Sequence, residues 1–207
     1  QLCNSELGIG ADLHVTPMRG WQRAMLWPDT GRTWIPPSPN LPRFEGALVY
    51  PGQVLLEGTT LSEGRGTTTP FEQFGAPFLD PYKLTEALRS RELAGLSLRP
   101  VHFEPTFQKH HGAPCGGLFL HVTDPTAFCA MRTTVAILRT VRELWPDQFA
   151  WLAPPYEYET ERLPIDILSG GSRLRAFVEA QRPWSDLDDI TKAPSDWWQQ
   201  AAPHLLY

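Results

Sequence analysis

The sequence lacks a cysteine framework. It holds three cysteines, Cys3, Cys115 and Cys129, an odd number with no CxxC spacing. A disulfide scaffold is excluded, and a structural zinc site would be short of ligands. It also lacks a basic excess. Eighteen Lys and Arg stand against 23 Asp and Glu, a formal net charge of −5, which argues against a nucleic-acid partner. No apolar run approaches the roughly 18 residues of a membrane span. No internal repeat is visible. The opening "QLCNSELGIGADLHV" has no initiator Met, no basic n-region and no apolar h-region. No signal peptide is therefore seen, and the chain reads as cut from a longer one. "EGRGTT" has neither the lysine nor the glycine spacing of a phosphate-binding loop, and no cofactor is expected.

What is present is 207 residues, 42% hydrophobic and 20% charged, enough for one generous domain or two small ones. Proline and tryptophan are plentiful, at 21 and 8. The prolines cluster at Pro36, Pro37, Pro39 and Pro42, then at Pro154 and Pro155. Rigid loops carrying aromatic rings suit a shaped cleft, although most tryptophans are expected simply to pack.

Alternation in "ADLHVTPM" predicts a strand over 11–18. "ALVYPGQVLLEG" has Leu48, Pro51, Leu55 and Leu56 near helical spacing. Asp80 before Pro81 predicts a capped helix running to about Leu93. "LSLRPVHFEPTF" reads as an edge strand because of its prolines. "GGLFLHVTD" reads as a strand with Leu118, Leu120 and Val122 on one face and Phe119 and His121 on the other. "RTTVAILRTVRELW" is an amphipathic helix ended by Pro146. A short helix, a Gly170–Gly171 break, a helix capped by Ser172 and one short C-terminal helix follow. The sum predicts an α+β fold: a small mixed sheet packed with several helices and many loops.

The segment "EGTTLSEGRGTTTPFEQFGAP", residues 57–77, is the densest in chemistry. It has three glutamates, one arginine, five threonines and four glycines, and no apolar run, so it reads as a polar loop. Glu57, Glu63 and Glu72 are candidate carboxylates. Arg65, between Gly64 and Gly66, is open to close approach by an anion; the alternative is an ion pair with Glu63 or Glu72. His102 and Glu104, two apart on a strand, face one side. With Lys109, His110 and His111 they form a weak metal-like pattern that is not the helical HExxH.

"PSPNLP", "VYPGQVLLEGTTLSEGRGTTTPFEQFGAPFLD", "RPVHFEPTFQKHHG" and the closing "HLLY" resemble the DUF1343 (YbbC-like) family, glycoside hydrolase family 171. The resemblance runs from about Ala11 to Tyr207. It implies the second of two domains, with residues 1–10 as the tail of an upstream Rossmann-like domain or a linker. It further implies an exo-β-N-acetylmuramidase acting on peptidoglycan-derived saccharides, located in the periplasm or secreted. The catalytic glutamate would then lie in the upstream domain, a required partner, and this chain alone would be inactive. Thr60 stands where the family more usually has Asn. Two carboxyl groups serve glycoside hydrolysis, about 5–5.5 Å apart for retention and about 6.5–9.5 Å for inversion. The residues nominated for that chemistry are Glu63, Glu104 and His102. Arg65 is nominated for the lactyl carboxylate of the sugar, and Asn40, Tyr50, Thr67, Glu57 and Glu72 for further substrate contacts. A binding module without catalysis and, more remotely, a metal-dependent hydrolase on His102, Glu104 and His110 are the rival readings.

Overall fold

The computed structural model describes residues 1–207. The chain divides into two compact units, one of residues 1–34 with 192–207, the other of residues 35–191.

In the first unit, helix α1 (Leu2–Glu6) is followed by an extended segment with no strand partner. The strand expected over 11–18 is therefore absent. Alternation makes a segment amphipathic, but a strand also needs a neighbouring backbone. Here side chains supply partners instead: Asn4 accepts from Ala11 N at 2.8 Å and donates to Ala11 O, and the Tyr207 hydroxyl accepts from Met18 N.

The second unit carries the sheet. Its elements run α2 (Phe44–Gln53), β1 (Gln73–Ala76), α3 (Pro81–Leu88), β2 (Leu96–Phe103), β3 (Cys115–Val122), α4 (Ala130–Leu144), α5 (Pro164–Leu168), α6 (Arg173–Val178) and α7 (Leu187–Thr191). The chain ends in α8 (Trp197–Ala201), within the first unit. The fold is α+β. The sheet is antiparallel throughout, in the order β1-β3-β2, rather than mixed. Its third strand comes from Gln73–Ala76, inside the segment expected to be a loop.

Strand β3 is central because it can be buried on both sides. Leu118 and Leu120 join the core while Phe119 stacks on His121, ring centroids 4.5 Å apart. β2 takes the edge that Pro100 and Pro105 demand. Across the core lies α4, whose Val135, Leu138 and Val141 repeat at helical spacing. Each such side chain contributes about 1.5–3 kcal/mol of burial. Helix α2 begins three residues before Ala47, where the segment read as helical starts, and Gln53 Nε2 donates to Thr134 Oγ1 at 2.8 Å. The Asp80 cap forms as expected, with Oδ1 accepting from Tyr82 N and Lys83 N at 2.9 and 3.0 Å. Ser172 precedes α6, but its hydroxyl makes no cap.

Residues 57–77 are not a surface loop. Leu61, Phe71, Phe74 and Ala76 are fully buried, and Ser62 and Gly75 exchange backbone hydrogen bonds. These four apolar residues are widely spaced, yet each one is buried.

A charged knot as the candidate functional site

The glycines flanking Arg65 serve the backbone. Gly64 and Gly66 have φ of +77° and +82°. A methyl at Gly64 would meet Gln73 O at 2.5 Å, and one at Gly66 would meet Phe107 N at 2.7 Å. Only glycine fits both the left-handed conformation and the contact. Thr67 closes the same turn: its hydroxyl donates to Gly64 O at 2.6 Å and accepts from Thr69 N at 3.2 Å.

This tight turn swings Arg65 back over residues 57–63. Arg65 Nη2 donates to Glu57 Oε1 at 2.5 Å. Its Nε lies 3.2 Å from Glu63 Oε1, an ion-pair contact that lacks hydrogen-bond geometry. The other oxygen of Glu63 accepts from Lys109 Nζ at 3.0 Å. Glu57 Oε2 accepts from the Tyr156 hydroxyl at 2.9 Å. Two carboxylates and two cations thus form a neutral chain, Glu57–Arg65–Glu63–Lys109, with a phenol at one end. Glu63 is almost wholly buried at 4% exposure, while Arg65 keeps 27%. The Arg65 guanidinium also lies 5.5 Å over the Phe71 ring, on which Tyr50 packs edge-on.

Lys109 is the hub. Besides Glu63 it donates to Leu56 O at 2.8 Å and Leu61 O at 3.0 Å. Burial pushes its amine below the ordinary lysine range, against the opposing pull of Glu63. Burial, then the bond to Glu57, pushes the Tyr156 phenol up. Neighbouring His110, at φ +58°, donates from Nε2 to Thr60 O at 2.7 Å. Thr60 in turn exchanges hydrogen bonds with Ala150 through its backbone and hydroxyl.

The other nominated residues lie elsewhere. Glu72 is buried and takes a two-pronged pair from Arg43, Nε to Oε1 at 2.7 Å and Nη2 to Oε2. That bond holds the Arg43 guanidinium above its ordinary value. His102, opposite Gly116, and Glu104 are both exposed and form no hydrogen bond or ion pair with the knot. Glu104 instead helps burial push the Cys115 thiol up to about 11. His102, Glu104 and His110 do not converge, and no three His, Cys, Asp or Glu side chains meet as a metal site would require. Asn40 is half-buried, its N–H donating to Ser38 Oγ at 3.2 Å.

Of the nominated residues, Glu57, Glu63, Arg65 and Tyr50 are the ones that the structure brings together. The sequence reading did not anticipate the contacts of Lys109 and Tyr156. Lys109 sits 46 residues from Glu63 and Tyr156 sits 99 from Glu57; no local pattern signals either contact.

The architecture is that of a DUF1343 protein. One crystal structure of a DUF1343 family protein from Bacteroides fragilis matches the whole chain with a TM-score of 0.76 at 25% identity, over 54% of that protein. A second, from the same organism, matches 83% of the chain and 43% of that protein, with a TM-score of 0.55 at 22% identity, and shows the fold alone. In sequence, residues 48–207 match the family described as exo-β-N-acetylmuramidase NamZ, C-terminal, and residues 1–45 match its N-terminal counterpart. The chain belongs to the NamZ family. It is 45% identical over 178 residues to the peptidoglycan β-N-acetylmuramidase NamZ of Bacillus subtilis (strain 168), which is 86% of this chain and 41% of that protein. The chain therefore spans less than half the length of that relative.

Proposed function

We propose that this chain is the C-terminal part of a peptidoglycan β-N-acetylmuramidase, which hydrolyses terminal β-linked N-acetylmuramic acid from cell-wall fragments. The observation that supports it most directly is the 45% identity across 86% of the chain to a protein of that activity.

On this reading the knot is a substrate-positioning wall. Glu63 places both oxygens on cations and holds Arg65 and Lys109 rather than delivering a proton. Arg65 already shares its charge with two carboxylates, so its exposed edge meets neutral acceptors, a hydroxyl or an N-acetyl oxygen, beside Tyr50 and Tyr156. Glu72 orders the backbone through Arg43. His102 and Glu104 take no part in the wall. The general acid and the attack on the anomeric carbon fall to the rest of the N-terminal domain, whose family model residues 1–45 of this chain match. The same substrate implies a location outside the cytoplasmic membrane.

The test is release of chromophore from an N-acetylmuramic acid β-glycoside. The 207-residue chain alone releases none, and co-expression with an upstream domain of the family restores turnover. Failure of the joined protein to turn over this glycoside overturns the enzyme assignment. Full turnover by the chain alone overturns the division of labour.

A further inference from the structure

The two loops that bring Lys109 and Tyr156 to the knot each also expose an aromatic ring. The second unit has four exposed large apolar side chains, Ile35, Tyr82, Phe107 and Tyr158. Two of the four stand two residues from a knot contact: Phe107 from Lys109, bonded to Glu63, and Tyr158 from Tyr156, bonded to Glu57. Phe107 is 49% exposed and Tyr158 wholly so. Scattered apolar residues on a surface are ordinary, but this pair falls on the two loops that close one site.

Both loops are fixed by their own hydrogen bonds. Thr106 N and Oγ1 each donate to Gly66 O at 2.9 Å, which seats Phe107 on the Gly66 turn. Gly112 N donates to Pro105 O at 2.9 Å and closes the loop at its base. Gln108 and His110 have φ of +68° and +58°. With a left-handed residue on each side, Lys109 turns inward while Phe107 stays outside. On the other loop, Tyr156 and Glu159 exchange backbone hydrogen bonds at 2.9 and 3.0 Å, leaving Glu157 and Tyr158 as the tip of a tight turn. Six non-glycine residues in the chain have a left-handed φ, and four of them, Phe71, Gln108, His110 and Glu157, adjoin the knot. Backbone strain gathered in this way marks a surface shaped for a ligand rather than for stability alone.

Arg65 links the two loops. Its Nη2 is bonded to Glu57, which holds Tyr156, and the next residue, Gly66, holds Thr106. Two separate rings beside a part-exposed guanidinium and a phenol do not make the contiguous apolar centre of a protein interface. They suit a ligand that is apolar on its face and hydroxylated at its edge, a pyranose ring. Charge narrows the class further. The knot is neutral, two carboxylates against two cations, and the Glu157 beside Tyr158 is exposed. An anionic ring meets a carboxylate here and no free cation, so the ring that fits is uncharged.

We infer that Phe107 and Tyr158 are specificity-determining residues for an uncharged hexopyranose held against the knot. The two aromatic rings pack on its C–H surface, and its hydroxyl or N-acetyl oxygens meet Arg65 and Tyr156. In the muramidase this ring is the sugar on the leaving side of the cleaved bond. That placement, and the choice of N-acetylglucosamine for it, rest on the muramidase reading; the geometry asks only for a neutral hexose.

The experiment titrates the 207-residue chain by NMR with methyl β-N-acetylglucosaminide and with the same glycoside oxidised to its uronate. The neutral glycoside saturates with a dissociation constant of millimolar order and binds more tightly than the uronate. Phe107→Ala and Tyr158→Ala, each checked for native circular dichroism, weaken it at least about fivefold. Phe107→Trp and Tyr158→Phe keep a ring and stay within about twofold of wild type. No saturation at tens of millimolar, an affinity unchanged in either alanine variant, or tighter binding of the uronate overturns the proposal. Turnover is read separately, on the chain joined to the rest of its N-terminal domain. The substrates are the N-acetylmuramyl–N-acetylglucosamine disaccharide and methyl β-N-acetylmuraminide, which lacks the second ring. In each alanine variant the ratio of their kcat/KM values falls at least about fivefold toward the methyl glycoside. Turnover with an unchanged ratio sinks these two residues and leaves the muramidase reading intact. Ring-dependent binding of the neutral glycoside without any turnover does the reverse.

Discussion

Replacing Lys109 by methionine tests whether the knot is held as described. Methionine keeps most of the stem and removes the ammonium. Leu56 O retains Thr59 as a donor, at 3.0 Å from N and 2.9 Å from Oγ1, so it is not stranded. Leu61 O and Glu63 Oε2 have no other partner and are stranded. A buried carbonyl left without a donor costs about 1–3 kcal/mol, and a buried carboxylate deprived of its cation about 3–5 kcal/mol. Three effects reduce that sum. The lysine side chain is 20% exposed, so water reaches part of the site, and Arg65 still faces the other oxygen of Glu63. Relief of the burial that depresses the Lys109 amine works in the same direction. The expected net loss is about 3 kcal/mol, or about 6–12 °C in Tm for a chain of this size. The assay is urea and thermal unfolding followed by circular dichroism at pH 7. Because the folded amine titrates below 10.5, its unfolded value, the folded state binds fewer protons in that window. Wild-type stability from this group therefore rises with pH between the two values, and the deficit of the methionine variant widens there. Glu63→Gln in the same background should recover part of the loss, because the stranded charge is gone. A change under about 0.5 kcal/mol, typical of a surface position, or a double variant that loses the full sum of both single losses, would refute the hub.

Two further outcomes follow from the same packing. Cys115 is buried with its thiol pushed up to about 11, while Cys3 and Cys129 are exposed. Maleimide labelling at pH 8 with mass spectrometry should therefore give two fast adducts and a third only on unfolding or at strongly alkaline pH, where the thiolate forms; three fast adducts would place Cys115 wrongly. Gly66→Ala puts a methyl 2.7 Å from Phe107 N and O at a φ of +82°, and should lose about 2–3 kcal/mol in urea unfolding. An unchanged midpoint would mean that the 66–107 contact is loose.

Much of the scaffold was legible because its signals are local. Asp80 followed by Pro81 gives both a side-chain acceptor and a residue needing no N–H, and the cap forms. The apolar period of α4 and the alternation of β3 are likewise written within one element. The strand expected over 11–18 failed because pairing is a property of two segments. β1 stayed hidden for the opposite reason: Gln73–Ala76 is four residues long and carries no alternation, and it becomes a strand only because β3 lies beside it. The candidate site divided along the same line. Glu57, Glu63 and Arg65 are eight residues apart at most, so their meeting was within reach. Lys109 and Tyr156 arrive from distant loops, and the glycines beside Arg65, taken as room for a ligand, turned out to be room for Gln73 and Phe107.

The sheet order has a consequence for synthesis. β3 is the last of the three strands to leave the ribosome, yet it is the one that pairs with both others. Residues 73–76 must wait for residues 116–119 before any ladder can close, a non-local step of the kind that slows folding. Until then the nascent chain holds Glu63 and Arg65 in water. Their dehydration is deferred until Lys109, itself made just ahead of β3, is at hand to accompany them inward.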